Sequence, residues 1–250
     1  MGKEKKKKRN LKNIVINILI FLLFVVGIAL VFNKDIRNVF MNNTTTQYQV
    51  KNISNDEVKK NQKADVSFDF DKVKSVNIQD VMNSQFDRTV VDNLPVVGGI
   101  AIPDLSLNLP IFKGVDNVAL FYGAGTMKED QVMGQGNYAL ASHYVSGYIS
   151  NGSNLLFSPL ERAKVGMKIY LTDMNKIYEY EVSDMGVFDP SRVDLIEDVD
   201  GEKTITLVTC SDLAASDRRI VFGKYVKEYD TSKASQDVTK AFDTSFNSVD

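Results

Sequence analysis

The chain has 250 residues, with 30 Lys and Arg against 32 Asp and Glu, one cysteine, one histidine and no tryptophan. One Cys and one His exclude an intramolecular disulfide framework and the ligand sets of ordinary structural zinc sites. Any thiol or imidazole chemistry therefore runs through Cys210 and His143.

Residues 1–12, "MGKEKKKKRNLK", form a basic tail with seven Lys or Arg and one Glu. Residues 13–33 follow as one membrane span, because the run from Ile14 to Phe32 is apolar on every face apart from Asn17 and Gly27. At about 1.5 Å per residue such a helix covers roughly 28 Å, close to the hydrocarbon thickness of a bilayer. The positive-inside rule keeps the basic tail in the cytoplasm and exports everything after the span, giving a single-pass cell-membrane protein with its N-terminus inside. No small-x-small cleavage pattern follows the span, so it is expected to remain as a signal anchor. Setting aside the first twelve residues leaves 23 basic against 31 acidic, a charge of −8, with no nucleic-acid signature. One thiol in an exported chain suits an extracytoplasmic setting that does not rely on disulfides.

Residues 34–72 are rich in Asn, Lys, Thr and Gln and lack apolar periodicity, so they are expected to form a polar stalk. Val73, Val76, Val81, Met82 and Phe86 sit near helical spacing and predict a short helix. Beyond Leu94 come short β-branched runs separated by turn residues: "VVGGIAIPDLSLNLPIF", "NVALFYG", "NYALASHYV", "KIYLTD", "IYEYEVSDMGVF", "KTITLVTC" and "RRIVFGKYV". This texture predicts an all-β domain over residues 73–228, a closed or nearly closed barrel or a sandwich. Within it, "FSPLERAKVG" reads as a short helix with Ser158 as N-cap, Pro159 in the first turn and Gly166 as the stop. Residues 229–250 return to an unpatterned polar sequence and are expected to be a disordered tail.

Cys210 ends the strand "KTITLVTC", His143 lies where "NYALASHYV" meets a loop, and Arg218 and Arg219 open the last strand. Strand ends place side chains at a sheet rim, where a substrate can reach them. A thiol, an imidazole and a guanidinium supply what acyl transfer needs: a nucleophile, a proton carrier and an oxyanion donor. Each has a plainer reading, as a buried apolar thiol, a structural histidine or a surface arginine. Alternation places Arg218 and Arg219 on opposite faces, so only one can point at Cys210.

"TLVTC" resembles the Thr-Leu-x-Thr-Cys signature of sortases, and "GNYALASHYVSG" resembles the histidine segment of the class A members of that family. "GGIAIPDLSLNLPIFKG", "LFSPLERAKVGMKIYLTD" and "SDLAASDRRIVFG" extend the similarity over roughly residues 75–227. The resemblance implies a closed eight-stranded β-barrel with short helices behind one N-terminal transmembrane helix. It implies a cysteine transpeptidase that cleaves Leu-Pro-x-Thr-Gly sorting signals between Thr and Gly and holds the acyl group as a thioester. That group then passes to the amine of a lipid-linked peptidoglycan precursor, anchoring surface proteins to the cell wall of a Gram-positive bacterium. By the same resemblance Cys210 is the nucleophile and His143 the general acid and base. The family arginine, eight positions after the cysteine where the turn is this short, corresponds to Arg218.

The resemblance of "VFDPSRVDLIEDVDGE" to the family's loop beside the active site implies that Pro190, Val193, Leu195 and Ile196 wall a pocket for the Leu-Pro of the signal. Thr209 and Ala141 are expected to line the groove. Calcium-dependent members carry carboxylates in the loop before the histidine strand. Here that stretch begins "FYGAGTM", so no metal or other cofactor is expected and activity should survive a chelator. Alternatives are a pilus-building sortase, a membrane-anchored cysteine protease, or a non-enzymatic adhesin or scaffold with an inert Cys210. A papain-like order, Cys before His, is contradicted by the sequence.

Overall fold

Short apolar runs broken by turn residues need hydrogen-bonding partners on both edges, and a barrel supplies them. The computed structural model describes residues 2–32, 47–70, 73, 91–145, 154–211 and 216–244. The chain divides into two units, Met1–Phe40 and Met41–Asp250. The first contains helix α1 (Gly2–Val31), whose stretch Leu11–Val31 is long and apolar enough to cross a membrane.

The second unit holds eight strands: β1 (Val96–Ile102), β2 (Leu107–Phe112), β3 (Ala124–Thr126), β4 (Asn137–Ala141), β5 (Lys168–Thr172), β6 (Lys176–Phe188), β7 (Thr204–Cys210) and β8 (Arg218–Asp230). They close into a barrel in the order β1-β2-β3-β4-β7-β8-β6-β5, with β5 returning to β1. The pairs β2/β3 and β4/β7 are parallel and the rest antiparallel. Strand alternation sends Ile205, Leu207 and Val221 into the barrel with Ile100, Leu140 and Leu171. Val208, Ile220 and Phe222, one residue out of phase, join a separate apolar cluster on the opposite face. Each fully buried aliphatic side chain contributes roughly 1.5–3 kcal/mol, and this core holds the strand ends still. Strand β1 bulges between Val96 and Gly98. A Cβ at Gly98 would lie 2.3 Å from the Thr172 carbonyl oxygen, so glycine is what lets β1 approach β5.

Four expectations change. The run "NVALFYG" is not a strand: Asn117–Tyr122 forms a helix, capped by Asp116, whose Oδ1 accepts from Val118 N at 2.8 Å. A six-residue apolar run fits either period, and the Asp cap decides it. "FSPLERAKVG" forms a 3-10 helix over Ser158–Arg162 that starts from Phe157 rather than Ser158. Ser158 is fully buried and its hydroxyl is engaged elsewhere, as described below.

The polar stretch expected to be a stalk is packed onto the barrel over much of its described length. It contains a helix, Asn55–Asn61, capped by Ser54. Val58 is buried, Tyr48 packs edge-on against Phe112 at 5.1 Å, and Lys113 Nζ donates to Ala64 O at 2.9 Å. These apolar residues are too sparse to show a period. The tail beyond residue 228 is likewise ordered to Thr244: β8 runs to Asp230, and Gln236–Asp243 is a helix capped by Ser235. Val238 and Phe242, one turn apart, are buried against Ala101 and Ile177, and Asn108 Nδ2 donates to Phe242 O at 2.7 Å and Thr244 O at 2.9 Å. Two apolar residues in an eight-residue helix are too weak a signal to read against a polar background. The helix expected through Val73, Val76, Val81, Met82 and Phe86 lies outside the described residues apart from Val73.

Candidate active site

Strands β4 and β7 run parallel, with Ala139 beside Thr206 and Ala141 beside Val208. The pairing outlasts β4 itself, since Ser142 N donates to Val208 O at 3.1 Å and Thr209 Oγ1 donates to Ser142 O at 2.8 Å. Counted one residue beyond these contacts, the same register sets His143 level with Cys210. On the other side of β7, Cys210 lies directly opposite Arg218 of β8. Directly opposed residues on neighbouring strands have Cβ atoms about 4.5–5.5 Å apart. The thiol therefore lies beside a guanidinium on β8, and the extension of β4 that carries the imidazole runs along the other side of β7.

His143 is 6% exposed and its ring stacks on Phe121 of the Asn117–Tyr122 helix, centroids 5.4 Å apart. Its backbone is held from the other side, where Phe157 N donates to His143 O at 3.3 Å. Ser158 Oγ then accepts from Val145 N at 2.8 Å and donates to Val145 O at 3.1 Å, fixing the segment just beyond the histidine. Burial pushes the imidazole down from its ordinary 6.5 to about 4, so the ring is neutral at neutral pH. Its Nε2 is buried and has no hydrogen-bond partner among the described residues. A buried nitrogen without a partner is costly for a structural histidine, and it suits one that takes and returns a proton.

The depressed imidazole has a consequence for stability. Between about pH 6.5 and pH 4 the unfolded chain binds a proton that the folded chain refuses, so stability falls as pH falls through that window. The total is on the order of 3 kcal/mol, and below about pH 4 the loss stops growing. Urea unfolding midpoints of the full chain in detergent from pH 7.5 to 4 should show this slope, and His143→Gln should flatten it. Parallel slopes for the two proteins would contradict a buried neutral imidazole.

Arg218 is half-buried and its Nη1 donates to Asp217 O at 3.3 Å. Arg219 points to the other face of β8. It is only partly exposed, and its Nε is buried without a hydrogen-bond partner among the described residues.

On the Cys210 face lies the apolar cluster of Ala139, Val208, Ile220 and Phe222, joined by Ala141, Leu195 and Ile196. Leu195 and Ile196 come from the 3-10 turn Val193–Ile196 in the long β6–β7 connection. Three of the six sequence candidates for the pocket, Ala141, Leu195 and Ile196, thus meet here. Pro190 and Val193 are exposed, Val193 by 67%, and do not join the cluster. Thr209 is 2% exposed, and its committed hydroxyl and opposite strand phase make it a brace between β4 and β7 rather than a groove lining. Val208, Ile220 and Phe222 were readable by counting in twos from Cys210 and Arg218. Phe121 and Phe157 were not, because only the folded chain brings them to His143.

The β6–β7 connection is tied back to the barrel by an ion pair between Lys128 and Asp198, and Asn137 N donates to Asp198 Oδ1 at 2.7 Å. The hydrogen bond from Lys128, then that from Asn137, holds the Asp198 carboxyl below its ordinary range. Among the described residues, no three His, Cys, Asp or Glu side chains are grouped to hold a metal ion. A cavity of about 290 Å³ between Met133, Tyr138 and Tyr178 is lined by none of Cys210, His143 and Arg218.

A profile of the Sortase domain matches residues 100–226. The chain is similar to Sortase A of Streptococcus agalactiae serotype III (strain NEM316), 47% identical over 248 residues that cover 99% of each chain. It is also similar to Sortase A of Listeria monocytogenes serovar 1/2a (strain ATCC BAA-679 / EGD-e), 34% identical over 200 residues, 80% of this chain and 86% of that one. Among solved structures, Listeria monocytogenes sortase A aligns with a TM-score of 0.51 at 36% identity, covering 59% of this chain and 97% of that one.

Proposed function

The chain belongs to the sortase family of cysteine transpeptidases that sort proteins to the cell wall, and from that premise we propose that Cys210 is its nucleophile, His143 its general acid and base, and Arg218 its oxyanion donor. The observation that supports this assignment is the register that sets Arg218 opposite Cys210 and runs the β4 extension alongside, with a histidine Nε2 that has no hydrogen-bond partner among the described residues.

The substrate is a surface protein bearing a Leu-Pro-x-Thr-Gly signal. The Cys210 sulfur bonds to the Thr carbonyl carbon while His143 takes the thiol proton, and the carbonyl oxygen receives the displaced electron pair beside Arg218. The oxyanion collapses, the Thr–Gly bond breaks, and His143 returns the proton to the departing Gly amine. The resulting thioester is attacked by the amine of a lipid-linked peptidoglycan precursor, which gives its proton to His143; the Cys210 sulfur leaves and takes that proton back, restoring the thiol and the neutral imidazole. The apolar cluster of Ala141, Leu195 and Ile196 offers a dry surface for the Leu-Pro end of the signal. The basic tail lies inside and the barrel on the outer face of the membrane, where both substrates are found.

The test uses the full chain in detergent micelles with a Leu-Pro-x-Thr-Gly peptide and an oligo-Gly or oligo-Ala amine. Cleavage after Thr with the amine joined to the new end is the expected product. An intact peptide with every acceptor would overturn the assignment, and cleavage by water alone would replace transfer with proteolysis.

A further inference from the structure

We propose that Asn137 is a positioning residue for substrate binding: its buried carboxamide seats the Val193–Ile196 turn so that Leu195 and Ile196 face the groove before any substrate arrives. The inference rests on the groove being the sorting-signal site. Asn137 opens β4 and is 5% exposed. Its Nδ2 donates to Leu195 O and to Glu197 O, both at 3.2 Å, and its Oδ1 accepts from Thr206 Oγ1 at 2.9 Å. Its backbone N–H is spent on the same segment, through Asp198. Thr206 is itself fully buried; its hydroxyl donates to the amide oxygen at 2.9 Å, which turns both N–H groups to the loop, and makes a longer 3.4 Å contact of its own to Leu195 O.

The loop needs such a seat. The Val193–Ile196 turn contains no buried residue, and a four-residue 3-10 turn has little stability of its own. Apolar contact from two half-buried side chains would allow several placements. A buried amide allows one, because leaving its donors unmade costs more than the bonds contribute when made. Asn is also a poor strand former, and its bond to Thr206 uses only one end of the amide, leaving both N–H groups for the loop. Five residues separate Asn137 from His143, and none of its bonds reaches Cys210, His143 or Arg218. Its effect is therefore expected in binding, through a pocket formed in advance, and not in the chemical step.

The experiment compares the full wild-type chain with Asn137→Ala and the nearly isosteric Thr206→Val. Steady-state kinetics on a Leu-Pro-x-Thr-Gly peptide are paired with hydrogen exchange over residues 190–198 in the absence of substrate. Asn137→Ala should raise KM on the order of tenfold with kcat within about threefold, and Thr206→Val should move KM the same way by less. Exchange should quicken in 190–198 in both variants and stay unchanged in β7. Unchanged KM and exchange in both variants, or a fall in kcat at constant KM, would overturn the proposal. If Asn137→Ala fails to fold, Thr206→Val decides. If the wild-type chain turns over no peptide, the functional assignment fails, and exchange over 190–198 still decides the role of Asn137.

Discussion

Replacing Cys210 by Ala should lower kcat/KM for peptide transfer by at least about a thousandfold, because the chain has no second thiol to carry a thioester. The chain has one cysteine, and its half-buried place at the end of β7 means that truncation leaves no large cavity. Thermal unfolding of Cys210→Ala should therefore stay close to wild type while transfer disappears. That combination separates a nucleophile from core filling. A core cysteine would behave in the opposite way, losing stability and keeping activity. Product analysis by mass spectrometry, beside an unfolding curve for the same sample, reads both quantities.

The second large effect is expected at Arg218. Arg218→Ala should cost about a hundredfold or more in kcat, with little change in KM, because an oxyanion donor acts on charge that exists only in the transition state. Arg218→Lys should recover part of that loss, since the charge remains but the planar fork of donors does not. Arg219→Ala is the informative comparison. Arg219 lies one residue away on the other face of β8, opposite Thr209, and part of it is buried. It should change stability more than kcat. Equal losses of kcat at the two positions would mean that strand phase does not decide which arginine serves the thiol.

Strand phase is also why much of the site was legible in the sequence. "TLVTC" and "RRIVF" each place every second residue on one face, so Cys210, Val208, Arg218, Ile220 and Phe222 could be grouped once the two strands were taken as neighbours. The parallel pairing of β4 with β7 was not legible, because it joins segments 67 residues apart and no local pattern encodes it. The β6–β7 connection was legible only in part. Its four apolar candidates look alike in sequence, but the 3-10 turn directs Leu195 and Ile196 inward and leaves Val193 outside, with Pro190 exposed ahead of it.

The segments around the barrel were misread for a common reason. Tyr48, Val58, Val238 and Phe242 are isolated apolar residues in polar surroundings, and their burial depends on patches that the finished barrel exposes. Composition reports their surroundings and not their destination. The Asn117–Tyr122 helix was misread differently. Its apolar run is too short to show a period, and the Asp116 cap that marks it reads equally well as a turn residue.

On the proposed assignment, acyl groups pass through a thioester on Cys210. The most direct measurement is the intact mass of the full chain after mixing with a Leu-Pro-x-Thr-Gly peptide without amine, followed by peptide mapping of the modified residue. The expected result is a mass increase equal to the acyl fragment ending in Thr, located on Cys210 and lost when an oligo-Gly amine is added. Product formation at full rate with no such adduct, or with the adduct on another residue, would contradict it.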